Sequence, residues 1–138
     1  MDRLSRTFPS TRDAAADASA FVVEAAEALG ASDSVREAML LVIGEAVANA
    51  AYHGNKLDPE KNITVECVKS GGELHLCVED AGAGIPEERL AGAALPDDPL
   101  QTSGRGLFIM KSLSERIWLE EAGRRLCMLW HLGGDELS

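Results

Sequence analysis

The spacing of apolar positions changes several times along the chain, and each change marks an element. Arg3–Phe8 alternates charged and apolar residues, which predicts a short edge strand ended by Pro9. Ser10 or Thr11 can then cap a helix over about Asp13 to Leu29, where Phe21, Val22, Ala25 and Leu29 recur at helical spacing before Gly30 stops it. Ser32 or Asp33 caps a second helix from about Val35 to His53, closed by Gly54-Asn55 read as a left-handed stop. From Met39 to Ala51 this helix is apolar nearly all round, so it is expected to be covered on more than one side.

Period-two alternation follows. Asn62–Lys69 sets Ile63, Val65 and Cys67 against Thr64, Glu66 and Val68, and Glu73–Glu79 alternates through Leu74, Leu76 and Val78. With Ser70-Gly71-Gly72 between them, the two runs predict a β-hairpin. Asp80–Ser103 has no strong period beyond one helical turn near Glu87–Leu90, and a loop this long inside a compact domain is usually functional. A third helix is predicted over Gly106–Ser114, then a second hairpin from Ile117–Glu121 and Arg125–His131 around Ala122-Gly123-Arg124. Strand, helix, helix, hairpin, loop, helix, hairpin is an α/β (α+β two-layer sandwich) order. Three helices would pack on one face of a mostly antiparallel mixed sheet, forming a single domain over residues 1–138.

Composition narrows the partners. Aromatic residues make up only 4% of the chain, so aliphatic side chains and alanine must fill the core. A formal net charge of -10 argues against nucleic acid, which needs basic surface, and against an anionic membrane. No apolar run is long enough to span a bilayer and the first residues are polar, so a cytoplasmic protein is expected. The three cysteines, Cys67, Cys77 and Cys127, form no CxxC pair and are odd in number; they read as reduced core residues.

Three features carry candidate chemistry. Glu45 and Asn49 lie four residues apart and therefore on one helical face, among Leu41, Val42, Ile43 and Val47. A structural helix with Glu45 facing water accounts for the pair. So does a wet cleft in which Asn49 offers an oxygen to a hard cation and Glu45 acts as a general base, with His53 one turn further on. Next, Asp80-Ala81-Gly82-Ala83-Gly84-Ile85 follows a strand directly; it fits a flexible turn, or a carboxylate that accepts from an amine beside glycines admitting a ligand to the backbone. Last, Gly104-Arg105-Gly106-Leu107 opens a helix, an ordinary entry or an anion site made by free amides and the helix dipole. An acidic protein that binds a polyphosphate needs such a place.

Taken together, Glu45 to Asn55 (EAVANAAYHGN), Asp80 to Ile85 (DAGAGI) and Gly104 to Met110 (GRGLFIM) resemble the motifs of the GHKL (Bergerat-fold) ATPases. Within that superfamily the chain looks most like the anti-sigma factor serine/threonine-protein kinases of the RsbW and SpoIIAB type. The resemblance covers nearly the whole chain and implies ATP held between helices and a mobile lid, which would lie between the second hairpin strand and the third helix. It implies that Asn49 coordinates Mg2+, that Glu45 activates a substrate hydroxyl, and that Asp80 reads the adenine amino group with Gly82, Gly84 and Ile85 beside the base. His53, Thr102, Ser103, Gly104, Arg105, Gly106 and Leu107 complete the implied nucleotide site. The implied reaction moves the γ-phosphate of ATP to a serine of an anti-sigma factor antagonist (a STAS-type protein), leaving ADP; the implied partners are that antagonist, a sigma factor and a second copy of the chain. The alternative is a non-catalytic ATP- or ADP-binding module that grips a signalling partner. The segment 86–103 motivates it, because Arg89 is its one basic residue.

Overall fold

A computed structural model describes residues 2–93 and 105–132. Five strands, β1 (Asp2–Pro9), β2 (Asn62–Ser70), β3 (Glu73–Glu79), β4 (Arg116–Glu120) and β5 (Arg125–His131), form one sheet in the order β1-β2-β3-β5-β4. All four described pairings are antiparallel. Both predicted hairpins form, and β5 also joins them by pairing along β3, with Cys77 opposite Cys127. β1 lies on the sheet edge, as its alternation predicts.

The helices α1 (Ala14–Ala28), α2 (Asp33–Ala48), α3 (Glu87–Ala91) and α4 (Arg105–Leu113) accompany the sheet. Ile63, Val65, Cys67, Leu74, Leu76, Val78, Leu126, Met128 and Trp130 point from the strands into the main core. Phe21, Val22, Ala25 and Leu29 meet them from α1 and the turn behind it, and Met39, Val42, Ile43 and Val47 from α2. Period-two strands and period-3.6 helices each turn one apolar face inward, and two such faces make the layers. α2 touches α1, α4 and β3, but Leu40 and Leu41 on its far side are 46% and 61% exposed, so its covering is incomplete. The helical layer has water on its other side.

Three local readings change. Ser32 caps α2, its oxygen accepting from the Val35 amide, but Ser10 does not cap α1; it is fully buried and bonds across the fold. Gly54 does not supply a left-handed stop; Lys56 and Leu57 take the positive φ values instead. The odd cysteine count concealed a pair. Cys77 and Cys127, directly opposite on β3 and β5 with Cα atoms 4.1 Å apart, form a disulfide, and only Cys67 is free. Both half-cystines face away from the main core, beside Val68 and Leu129, which are buried by side chains of the sheet's outer face. Burial and the nearby Glu66 push the Cys67 thiol up to about 12, so it stays protonated and unreactive.

Candidate functional site

Glu45 on α2 and Asn49, the residue that caps its end, lie four positions apart on one helical face and are both half-buried. At Asn49 the α-helical pattern gives way to a π-helical turn over Asn49–Gly54, in which the Asn55 amide reaches back to the Ala50 carbonyl (2.7 Å). Such wide turns recur at functional sites. Here the turn swings Asn55 inward, where it is 1% exposed. Its side-chain NH2 donates to Ser10 Oγ (2.7 Å) and to the Asn62 carbonyl (3.0 Å), and its Oδ1 accepts from the Ala81 amide (2.8 Å). Ser10 Oγ in turn donates to the Lys61 carbonyl. Four segments, the β1 exit, the π turn, the β2 entry and the loop after β3, are thereby tied together behind the site.

Asp80 sits at the end of β3, its amide donating to the Arg124 carbonyl (3.0 Å). Its Oδ1 accepts from the Gly82 amide (2.7 Å). The carboxylate lies directly against Gly54, where an added Cβ would come within 2.4 Å of the carboxylate carbon. Gly82 is equally confined, since a Cβ there would stand 2.1 Å from the Gly54 carbonyl oxygen. Two glycines 28 positions apart thus let the π turn and the Asp80 loop touch through their backbones. Gly84, at φ +90, presses on the turn before β5, and the Ile85 amide bonds the Gly123 carbonyl (2.9 Å). Burial raises the Asp80 carboxyl above its ordinary range; the Gly82 amide and Arg124 pull it back, and Glu79 adds to the rise.

Asn49, His53, Gly54, Asp80, Gly84, Ile85 and Arg89 line one pocket of about 70 Å³. His53 is exposed at its mouth. One turn back along α2, the Glu45 carboxylate meets the first turn of α4, an added Cβ on Gly106 standing 3.2 Å from Glu45 Oε1. Leu107 is buried and Arg105 half-buried. The structure therefore brings Asn49, His53, Asp80, Gly84 and Ile85 into one cavity, with Glu45 against Gly106 one turn back along α2, while Leu107 belongs to the hydrophobic core. Gly82 supports the cavity through Gly54 without lining it. Thr102, Ser103 and Gly104, and most of the segment expected to form the lid, lie outside the described residues.

Sequence reasoning missed four contributors. Gly54 and Asn55 look like a helix stop but are a contact point and a buried clasp. Gly123 looks like a plain hairpin turn but lies against Ile85. Ser10 carries no local signal, because its partners are 45 and 51 residues away.

The donor set fits a nucleotide. Asp80 offers a partly buried acceptor to an amine, glycines keep Cβ atoms out of the way, and Asn49 presents a side-chain amide. Among the described residues no group of three or more His, Cys, Asp or Glu could hold a metal ion. A magnesium ion would be held through Asn49 together with the oxygens of a bound phosphate chain, its usual habit.

Comparisons with known proteins concern the family and the fold. Residues 8–130 match the family described as Histidine kinase-like ATPase domain. The anti-sigma F factor of Geobacillus stearothermophilus is 35% identical over 81 residues, covering 57% of this chain and 56% of that protein. That of Bacillus licheniformis is 29% identical over 96 residues, covering 66% of each. The chain spans about half the length of the Geobacillus relative it matches. Among solved structures, the RsbU and RsbW domains of a Mycobacterium tuberculosis protein superpose with a TM-score of 0.69 at 23% identity, covering 96% of this chain and 33% of that one. The catalytic domain of the histidine kinase ThkA superposes at 0.55 with 16% identity, covering 96% and 95%. Both likenesses concern the fold.

Proposed function

The chain belongs to the histidine kinase-like ATPase domain family, and from that premise we propose that it is an ATP-dependent protein-serine kinase acting as an anti-sigma regulatory factor. The observation that carries the reading is a convergence. Motifs separated by dozens of residues, Glu45 with Asn49, Asp80 with its glycines, and Gly106, meet along one side of α2 and the turn that follows it. Relatives named anti-sigma F factor support the regulatory half.

In this reading Asp80 accepts from the adenine amino group while Gly82, Gly84 and Ile85 leave room for the ring. Asn49 would hold Mg2+ through its side-chain oxygen, and the amides at the start of α4, Gly106 and Leu107, would serve the phosphates. Mg-ATP supplies the transferable phosphoryl group and part of the charge neutralisation. Glu45 takes the proton of the acceptor serine as the serine oxygen bonds to the γ-phosphorus and the bond to the β–γ bridging oxygen breaks, releasing ADP. Transfer of this kind asks for positioning and charge stabilisation more than covalent help. The acceptor serine belongs to a STAS-type antagonist, a sigma factor is the competing partner, and the protein works as a homodimer. The exposed edge at β1 suits such pairing.

Glu45→Ala tests the assignment. ATP affinity by calorimetry should be kept, and transfer from labelled ATP to the antagonist's serine should fall by a factor on the order of 10²–10⁴, the usual contribution of a general base. Undiminished transfer would remove Glu45 from the chemistry. A second reading, a non-catalytic ATP- or ADP-binding module, is favoured by the single basic residue in 86–103. It predicts tight nucleotide binding with no phosphorylation of any antagonist.

A further inference from the structure

In this acidic chain 23 Asp and Glu stand against 13 Lys and Arg, and several of the cations are engaged. Arg3 pairs with Glu66, Arg36 with Asp33, and Arg125 with Glu66, Glu79 and Glu120. Arg6 lies over Phe21 and Arg116 over Trp118. Among the described residues the Arg89 side chain, like those of Arg12, Lys56, Lys61, Lys69 and Arg124, makes no hydrogen bond, ion pair or ring contact. Yet it lines the same pocket as Asn49, His53 and Asp80 and does not pair with the Asp80 carboxylate.

The backbone that carries Arg89 is held from both sides. Ahead of α3, the Ile85 amide is bonded to the Gly123 carbonyl (2.9 Å). Within α3, the next residue, Leu90, is 6% exposed and belongs to the main core. Behind it, Lys111 of α4 donates to the carbonyls of Leu90 (3.1 Å) and Ala91 (3.0 Å), occupying the acceptors at the end of the short helix. A helix of five residues has little stability of its own; these three attachments hold it. A guanidinium unpaired among the described residues is thus presented at a pocket from an anchored position, and five N–H donors in a planar fork suit phosphate oxygens.

We propose that Arg89 is the residue through which this chain grips the phosphate chain of its nucleotide, supplying from α3 the charge that the acidic surroundings lack. The proposal rests on the reading of the pocket as a nucleotide site. It assigns Arg89 to phosphate recognition and leaves base recognition to Asp80. It also gives the one basic residue of segment 86–103 a place in the kinase.

The test is a ligand series. Adenosine, AMP, ADP and ATP are titrated by calorimetry, in magnesium-containing buffer, into the wild type, Arg89→Ala and Arg89→Lys, with thermal melts to show that all three fold. Arg89 is exposed, so the melts should coincide. Adenosine should bind wild type and Arg89→Ala alike. ADP and ATP should bind Arg89→Ala about tenfold or more weakly, the scale of a lost charge-assisted contact, and Arg89→Lys should recover part of the loss. Equal weakening of all four ligands, or no weakening of any, would overturn the proposal while leaving the nucleotide reading intact. Failure of the wild type to bind any of them would overturn both.

Discussion

Asp80 concentrates the site's conflict into one residue. Its carboxylate is held against the Gly54 Cα, takes one amide from Gly82, and loses much of its water. Burial raises its pKa above the ordinary 3.8. For an acid whose folded pKa is raised, the stabilising contribution is fully present below 3.8 and disappears as pH rises through the folded value. Once ionised the group therefore works against folding, and under the proposed function it is kept for binding. Asp80→Asn should leave the melting temperature of the nucleotide-free protein at pH 7 unchanged or higher, with the advantage vanishing below pH 3.8, while ADP binding weakens about tenfold or more. A clear drop in melting temperature at pH 7 would show that the carboxylate is structural. Asp80 itself was legible as a candidate because a carboxylate followed by alternate glycines directly after a strand is an unusual pattern. The tightness around it was not, since Gly54 is 26 residues away and looks like a helix end.

Among the elements, the π turn is decisive. The Ser32 or Asp33 cap and the apolar run from Met39 to Ala51 located α2, and the four-residue spacing located the Glu45–Asn49 face, but a continuous α-helix to His53 was the expectation. Local spacing cannot show the switch to wider hydrogen bonding, because the turn is set by partners from elsewhere. Asn55 must reach Ser10, Asn62 and Ala81 at once. Asn55→Ala would leave the part-buried Ala81 amide and Asn62 carbonyl without this partner and remove the donor to the Ser10 hydroxyl. We expect it to destabilise the protein by about 2–4 kcal/mol in urea denaturation, since each unsatisfied buried group costs on the order of 1–3 kcal/mol. It should also weaken nucleotide binding by freeing the Asp80 loop. A loss under about 1 kcal/mol would mean that water replaces these bonds and that the clasp does not hold the site.

For the whole molecule, the joint between the two hairpins is where sequence order and spatial order part. β5 rather than β4 lies against β3, and that pairing sets Cys77 opposite Cys127 in a disulfide that closes a separation of 50 residues. The intact mass of unreduced protein should be about 2 Da below that of reduced protein. Only Cys67 should then label under denaturing, non-reducing conditions. Reduction should lower stability by about 2–4 kcal/mol, the usual scale for a cross-link of this kind. Three labelled thiols without reductant would exclude the bridge.

The amino-acid order determined the elements, the inward faces of the strands and helices, and the chemical character of Glu45, Asn49, Asp80 and the loop glycines. Those follow from periodicity and residue type over a few neighbouring positions. Only the tertiary structure decided that Gly54 meets Asp80, that Asn55 and Ser10 share a buried clasp, that two cysteines pair, and that Arg89 faces the pocket. Each of these is a contact between segments far apart in the chain. Such contacts depend on which surfaces the packed layers bring within a few ångströms, and no local spacing encodes that.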